Sequence, residues 1–447
     1  MPRYLFAIAC GVLLQMGGFP DTLTAQGSRA AGREPVRLSL AEAVGRAVDL
    51  NEDVLIARAE EARTAGLVRE VRAASLPDIR AEINYNRNIQ NAVLFLETGD
   101  GVQQVQLGQE NDFSFILTLE QPILDLGLGP ARSAARLSGE ATAVQVESAR
   151  VGVALQARLA YYQVLLDKEL VVVQEKAIEQ AGARLREVEA FYRVGTASDF
   201  DLLTAQVEVD NIKPLLIEAR NLLELDRNRL KRTIGMPLNR TIELVDRLAR
   251  PTEIPPLEEA IEIALRNRPD VDSQELVIAL QSENLAVQKA SGYPTLDLIA
   301  SFSRRGASST LFPGGKDFAQ SASAGLSFSV PVFDGRARSG RVQQARAAVD
   351  RERFRLQQLV ENARLQVQQA HQALVASREQ IEASESNIAR AERALEIAQT
   401  RFRNGLSTQV ELNDAELAVT RARTNFVQAL YNHNAARAQL TAAMGER

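Results

Sequence analysis

The sequence predicts a mainly helical protein with a small β component, built by internal duplication. A motif of the form aromatic-Arg-x-Gly occurs twice, in YRVGTASDFDLLTA at 192–205 and in FRNGLSTQVELNDA at 402–415. In each half the spacing of apolar residues also changes from a helical period to a strand period and back. Each half is therefore expected to contain a short helical region, two strands, a very long helix and a return helix.

Each half opens with a helical pattern that runs to a proline. The segment LAEAV at 40–44 matches LEEAI at 257–261, and Ser39 with Glu42 has the spacing of a capping box. The second copy has Pro256 before its first turn, where proline is well tolerated. The chain is therefore divided into a first repeat, a linker and a second repeat, at 38–235, 236–255 and 256–447.

Two strands separated by a loop are predicted in each repeat, within about 77–122 and about 294–332. Apolar residues alternate with polar ones along each strand, which gives the predicted sheet one apolar face. In the first strand the apolar positions are Ile79, Ala81, Ile83 and Tyr85. The second strand of each pair is expected to stop at a proline, Pro122 or Pro331, because proline has no N–H for the strand ladder.

The two faces of these strands allow two interpretations. In a soluble sandwich they would meet core and solvent, and in an outer-membrane barrel they would meet lipid and a water-filled lumen. Four strands are too few to close a wide barrel, and an open sheet edge in lipid leaves backbone groups without hydrogen bonds. If the strands span a membrane, several chains must therefore share one barrel.

The helical period then returns over two long stretches without proline, Ala131–Tyr192 and Ser339–Arg403. Each has roughly 60 residues and so a length of about 90 Å as an α-helix. The glycine of each motif, Gly195 or Gly405, is expected to end the helix and to turn the chain into an αα-hairpin.

A return helix of roughly 35 residues is predicted after each glycine turn. Ser198 with Asp201, and Thr408 with Glu411, have the spacing of capping boxes at the starts of these helices. Pro214 interrupts the first return helix and predicts a kink there.

The N-terminus resembles a secretory signal peptide over residues 1–25. Arg3 precedes a mostly apolar stretch, and small residues near Ala25 suit a cleavage site. The single cysteine, Cys10, lies within this stretch and is expected to be removed with it; lipidation at Cys10 and a buried N-terminal helix are the alternatives. No later run of 18 apolar residues predicts a transmembrane helix.

Composition and motifs argue against several functions. The net charge of −5 and the lack of a Lys/Arg tract argue against binding nucleic acid. His371 and His433 stand alone, so neither a metal site, a cofactor site nor a catalytic constellation is predicted. A periplasmic coiled-coil adaptor without a membrane barrel is the main alternative to a membrane channel. An adaptor would show one hairpin within β domains, whereas this chain shows two.

The duplication, the two strand pairs and the motifs at 192–205 and 402–415 together resemble the TolC-like outer-membrane efflux proteins. The resemblance covers nearly the whole chain after residue 25. It implies a homotrimer whose chains contribute four strands each to a shared 12-stranded transmembrane β-barrel, continued by a long periplasmic α-helical barrel.

Such a protein is the exit duct of a tripartite efflux or type I secretion system, located in the outer membrane with a long periplasmic extension. The partners that the resemblance implies are outer-membrane lipid, a periplasmic membrane-fusion adaptor and an inner-membrane pump of RND, ABC or MFS type. Multidrug efflux and protein secretion use the same duct, and the sequence does not separate them.

The resemblance also implies a functional site at the two glycine turns, which would be the periplasmic tips. The tip residues that would meet the adaptor are Tyr192, Arg193, Gly195, Thr196, Arg403, Gly405 and Leu406. The residues at the closed aperture would be Asp201, Glu411, Asp414, Phe402 and Ser407. Threefold symmetry would turn the acidic positions into carboxylate rings, which favour cations and raise one another's pKa values.

Two aperture positions depart from the family pattern. Phe402 stands where a Tyr hydroxyl would bond across protomers, and Ser407 stands where an Arg would pair with the acid at Asp201. We therefore hypothesise that the aperture is held shut by packing and fewer polar bonds, or opens more readily. Simpler roles stay open: helix capping for Asp201 and Glu411, hairpin packing for Tyr192 and Phe402, and a solvated surface acid for Asp414.

Overall fold

The computed structural model describes residues 35–98, 101–251, 253–311 and 314–447. The predicted signal peptide at 1–25, with Cys10, lies outside these residues. The first repeat contains four helices and five strands, in the order β1, α1, α2, β2, β3, β4, β5, α3 and α4. Their bounds are Val36–Leu38, Leu40–Leu50, Glu52–Ala73, Asp78–Arg87, Ala92–Thr98, Gly101–Leu107, Asn111–Leu124, Leu128–Arg193 and Asp199–Thr233.

The strand β6 follows in the linker, and the second repeat then contains α5, α6, β7, β8, α7 and α8. Their bounds are Ile242–Leu244, Leu257–Asn267, Pro269–Ala290, Thr295–Ser308, Phe318–Ser329, Ala337–Arg403 and Gln409–Ala443. The long helices α3 and α7 have 66 and 67 residues, and both return helices have 35. At 1.5 Å per residue the long helices reach about 100 Å.

Local capping signals explain where several helices begin. Ser39 caps α1 in a full capping box with Glu42, as its spacing predicts. Asn51 ends α1 and caps α2 by accepting the Asp53 N–H, so the first helical pattern is two helices rather than one. α4 runs through Pro214 as one continuous helix, so this proline does not end it.

One four-stranded antiparallel sheet joins the two repeats, in the order β2–β5–β7–β8. The central pair consists of one strand from each repeat, with Leu117 of β5 opposite Phe302 of β7. The edge strands β2 and β8 each have one partner within the described chain. The apolar alternation places Ile83, Phe115 and Phe302 on one face of this sheet, as the sequence predicts.

The strand ends differ from the prediction. β5 does not stop at Pro122 but runs to Leu124, and the register shifts between these two residues. A proline fits within a strand at such an irregularity, because the ladder bond that it lacks is already interrupted there. β8 ends at Ser329, two residues before Pro331.

Two further strand pairs were not predicted. The segment between β2 and β5 is not a plain loop, because β3 and β4 form a separate hairpin with Val93 opposite Gln106. The short strand β6 lies within the predicted linker and pairs in parallel with β1, with Val36 opposite Ile242. This pairing attaches the linker to the start of the first repeat.

The helices bury two main cores, one for each repeat. In the first, the Tyr161 hydroxyl lies 2.9 Å from the Leu38 carbonyl oxygen and 2.8 Å from the Asp246 carboxylate, which ties α3 to β1 and the linker. Representative buried side chains of the two cores are Val54, Tyr161, Leu230 and Ile234, and Ala260, Val367, Leu374 and Leu440. None of the helices in the described residues combines the length and apolar character that a membrane span requires.

Candidate functional site at the helical tips

The first tip is a tight turn between α3 and α4 that depends on Gly195. This glycine has φ of 77°, in the left-handed region that favours glycine. Its N–H donates to the Tyr192 carbonyl oxygen at 3.0 Å, and the Thr196 N–H donates to the Phe191 carbonyl oxygen at 2.9 Å. These two bonds form a Schellman motif, which satisfies the last carbonyl groups of α3.

The second tip, between α7 and α8, has the same geometry. Gly405 has φ of 69°, and its N–H donates to the Phe402 carbonyl oxygen at 2.9 Å. The Leu406 N–H donates to the Arg401 carbonyl oxygen at 2.8 Å, which completes a second Schellman motif. The repeated glycine in the sequence therefore marks two helix-ending turns of the same type.

The return helices start differently at the two tips. Ser198 and Asp201 form the predicted capping box, in which the Asp201 carboxylate accepts from the Ser198 N–H at 3.0 Å and from its hydroxyl at 2.7 Å. These bonds lower the pKa of Asp201. At α8 the Thr408 hydroxyl accepts the Glu411 N–H at 3.3 Å, but the Glu411 carboxylate forms no return bond to Thr408. The capping box predicted for Glu411 is therefore wrong in its second half.

All seven residues predicted at the docking tips are exposed. The Asp199 carboxylate at the start of α4 raises the pKa of Tyr192. Leu406, one of the seven, is 67% exposed, and the neighbouring Val194 is 72% exposed. Each tip therefore presents an apolar patch to its surroundings.

Four of the five predicted aperture residues lie at the second tip, and Asp201 lies at the first. The Asp201 carboxylate accepts hydrogen bonds from Ser198. The Ser407 hydroxyl is shielded from solvent and has no hydrogen-bond partner among the described residues. Glu411 and Asp414 are exposed on the first turns of α8. Among the described residues, Asp201, Glu411 and Asp414 therefore form no hydrogen bond with the Ser407 hydroxyl.

Phe402 contacts a residue that the sequence analysis missed. The Arg184 guanidinium of α3 lies 5.1 Å from the centroid of the Phe402 ring on α7. The same guanidinium donates to the Glu416 carboxylate of α8 at 2.9 Å. Arg184 is 7% exposed and Glu416 is 15% exposed in their side chains, so the ion pair is largely shielded from water. It joins the first helical hairpin to both helices of the second.

The electrostatics of this pair follow from its burial. Desolvation raises the pKa of Glu416, and the positive charge of Arg184 opposes that shift. A signal in the sequence was available, because Ala181, Arg184 and Val188 share one helix face and the two apolar members are buried. An arginine on an apolar helix face needs a partner, although its spacing does not identify the partner.

The described residues contain no cluster of three His, Cys, Asp or Glu side chains that could hold a metal ion. A four-stranded sheet with one apolar face, joined to two helical hairpins of about 100 Å, is the architecture of an outer-membrane channel subunit. The chain belongs to the outer membrane efflux protein family, whose model matches residues 43–236 and 260–446.

Known proteins agree with this assignment. Protein CyaE of Bordetella pertussis is 28% identical over 278 residues, which cover 60% of this chain, and the chain spans 57% of that relative's length. The fold is similar to the CmeC outer membrane channel of Campylobacter jejuni, with a TM-score of 0.77 and 20% identity over 91% of this chain and 85% of that one. It is also similar to VceC of Vibrio cholerae, with a TM-score of 0.75 and 17% identity over 91% and 96%.

Family membership confirms the predicted class and location. The chain is an outer-membrane protein of the TolC-like type, with a helical periplasmic extension. The family is one of channel and transport proteins rather than enzymes, and its members act as trimers with adaptor and inner-membrane pump partners. An adaptor without a membrane barrel is not favoured.

Proposed function

We propose that this chain is a subunit of an outer-membrane exit duct, which passively conducts substrates from a periplasmic pump and adaptor to the exterior. The observation that carries the proposal is the family match over both repeats, on a fold similar to the CmeC outer membrane channel. The duct would serve a tripartite efflux or type I secretion system. It would need no catalytic residue and no cofactor.

We infer a homotrimer, and the two open edges of the sheet support an assembly in which neighbouring chains complete the barrel. In lipid, unpaired backbone N–H and C=O groups cost several kcal/mol each, so the β2 and β8 edges need partners. We infer that β2 of one protomer pairs with β8 of the next. Three chains of four strands then close a barrel of twelve, with the apolar face toward lipid and the polar face toward the lumen.

The aperture of the duct would lie at the periplasmic tips. Asp201, Glu411 and Asp414 would form carboxylate rings in the trimer, and these rings would favour cationic substrates. Phe402 and Ser407 lack the groups that would bond between protomers. The contact of Arg184 with Phe402 and Glu416 supports a closed state that is held within each protomer instead.

The docking surface for the periplasmic membrane-fusion adaptor would consist of the seven tip residues named above. Their exposure and the apolar patches beside them support this role, since apolar area drives most protein association. The adaptor would connect the duct to an inner-membrane pump of RND, ABC or MFS type.

The proposal is tested first by the native mass of the protein, extracted in detergent from an outer-membrane fraction. A mass of three chains, found only in that fraction, is the expected result. Discrete ion conductance should follow when this trimer is added to a planar lipid bilayer. A soluble monomer in the periplasm would overturn the duct and favour the adaptor alternative.

A further inference from the structure

The apolar face of the four-stranded sheet carries two cations near its loop end. Cross-strand pairing places Arg304 of β7 between Phe115 of β5 and Gln320 of β8. Arg87 of β2 lies two cross-strand rows further toward the loops, opposite Asn111. Both arginines therefore belong to the face that consists mainly of Ile, Leu, Phe and Ala side chains, with Asn111, Ser308 and Gln320 as neutral polar residues near the loop end.

No carboxylate balances these charges on the same face. The described strand residues of that face include neither Asp nor Glu, and neither arginine forms a salt bridge in the described chain. All the acidic residues of the four strands lie on the opposite face, which also carries Arg80 and Arg305. They are Asp78, Glu82, Asp112, Glu120 and Asp297.

Arg304 is held in a defined position. Its guanidinium lies 4.5 Å from the centroid of the Phe318 ring, a cation–π contact in the next cross-strand row. Gly306 leaves the room for Phe318, because a β-carbon at Gly306 would come within 2.5 Å of that ring. The Nε atom of Arg304 is shielded from solvent and has no hydrogen-bond partner among the described residues.

The depth of Arg304 along the strand matches a membrane interface. Tyr85, Phe113 and Phe318 form an aromatic row across the sheet, one row closer to the loops. Aromatic rows of this kind flank the apolar band of outer-membrane barrels. A long arginine side chain whose backbone lies just inside the band extends its charge toward the interface.

We propose that Arg304, together with Arg87, binds the phosphate groups of a phosphorylated glycolipid in the outer leaflet of the membrane. The inference rests on the proposed function, which directs the apolar face to lipid and the loop end to the exterior. A guanidinium recognises phosphate through two parallel N–H donors, and an unpaired cation beside lipid has its counter-ion in the lipid headgroup.

The experiment uses the full protein in detergent and measures its affinity for bisphosphorylated lipid A and for the same glycolipid without phosphates. Arg304→Gln removes the charge from the apolar face. Arg305→Gln is a matched control, because it removes the same charge from the adjacent residue on the opposite face. Arg304→Lys keeps the charge but loses the planar fork, and it serves as a second variant if Arg304→Gln does not assemble.

The wild type and Arg305→Gln are expected to prefer the phosphorylated glycolipid, whereas Arg304→Gln should lose about tenfold or more in affinity for it, with Arg304→Lys in between. Equal affinity of the wild type and Arg304→Gln would overturn the proposal. So would equal affinity of the wild type for the two glycolipids, or full competition by phosphatidylglycerol or by millimolar inorganic phosphate.

Bilayer conductance separates this inference from the proposed duct. Arg304→Gln should conduct like the wild type, because the residue lies on the lipid face and not in the lumen. A wild type that binds the glycolipid through Arg304 but never conducts would overturn the duct while leaving the lipid site. A wild type that conducts but binds the two glycolipids equally would support the duct and overturn the lipid site.

Discussion

Arg184 shows how one side chain can join the two halves of a duplicated chain. It extends from α3, packs on the Phe402 ring and pairs with Glu416, 232 residues away. The resemblance described above implies a Tyr hydroxyl at the position of Phe402, bonding between protomers. In this chain the Phe402 ring contacts the Arg184 guanidinium of its own protomer.

Replacing Arg184 with Met should destabilise the tip region. Removing one partner of a buried ion pair leaves the other charge buried, which costs about 3 kcal/mol. We expect a lower melting temperature and a higher conductance of the resting pore in planar bilayers. Arg186→Met, an exposed arginine two residues away, is the control and should behave like the wild type. Unchanged conductance in Arg184→Met would contradict a role in closing the aperture.

A second buried group should make stability depend on pH. Asp167 of α3 is 4% exposed and lies beside Asp226 of α4. Burial is the main cause that raises the pKa of Asp167 to about 7, and the hydrogen bond with the Asp226 carboxyl is the second. Gln163 donates to Asp167 at 3.0 Å, and Arg229 pairs with Asp226. The folded chain therefore retains a proton that the unfolded chain loses at about pH 4.

Because the folded state binds the extra proton, stability should fall as the pH rises from about 4 to about 7. The buried His433 has a lowered pKa, so its titration makes stability rise with pH instead. The effect of Asp167 is therefore isolated by comparing variants with the wild type. Asp167→Asn should remove most of the fall in melting temperature between pH 5 and pH 8 relative to the wild type. Asp210→Asn, at an exposed pair with Lys213, should keep it. Parallel profiles for the wild type and Asp167→Asn would refute this role.

At the scale of elements, each helical hairpin depends on the left-handed backbone conformation of one glycine, Gly195 or Gly405. Gly405 has positive φ, and a β-carbon added there would meet no atom within 4 Å. Any penalty for a side chain therefore comes from the left-handed backbone conformation of the residue itself, and not from a clash with other residues. The sequence predicted this turn because glycine at the end of a long helical pattern is a local signal.

Gly405→Ala should destabilise the second hairpin by about 1 kcal/mol, because an L-residue is strained in the left-handed region. The matched control is Gly152→Ala in the interior of α3, where a β-carbon also meets open space. There alanine should stabilise the helix by about 0.5–1 kcal/mol. Melting temperatures of the two variants should therefore move in opposite directions. A shift of the same sign in both would contradict the assigned turn.

At the scale of the whole molecule, the two faces of the sheet must meet different surroundings. Leu117 and Thr118 are neighbours on β5 and point to opposite faces, with Leu117 beside Ala81 and Phe302 on the apolar one. In a closed trimeric barrel Leu117 would face lipid and Thr118 would face the lumen.

Leu117→Arg should therefore reduce the folding free energy in bilayers by about 2–4 kcal/mol, and Thr118→Arg should cost much less. The measurement is the yield of trimer in the outer-membrane fraction, followed by urea unfolding of the protein refolded into lipid vesicles. Similar yields for both variants would argue against the assignment of the apolar face to lipid.

Much of the architecture could be predicted because its signals are local. The alternation at Ile79–Tyr85, the glycines at the tips and the Ser198 cap each depend on residues only a few positions apart. The hairpin of β3 and β4 was missed even though Val93, Phe95, Val102 and Val105 carry strand-forming side chains. The β1–β6 pair was missed because three-residue strands leave too short a pattern to detect.

The sequence by itself determined the duplication, the order of the elements and the two turns, since periodicity, capping and glycine stereochemistry act within a few residues. The tertiary structure alone decided which distant elements meet: β5 beside β7 from the other repeat, Arg184 against Phe402 and Glu416, and Arg304 under Phe318. A period identifies the face of an element that will be buried. The partner that buries it depends on long-range packing, which no local spacing encodes.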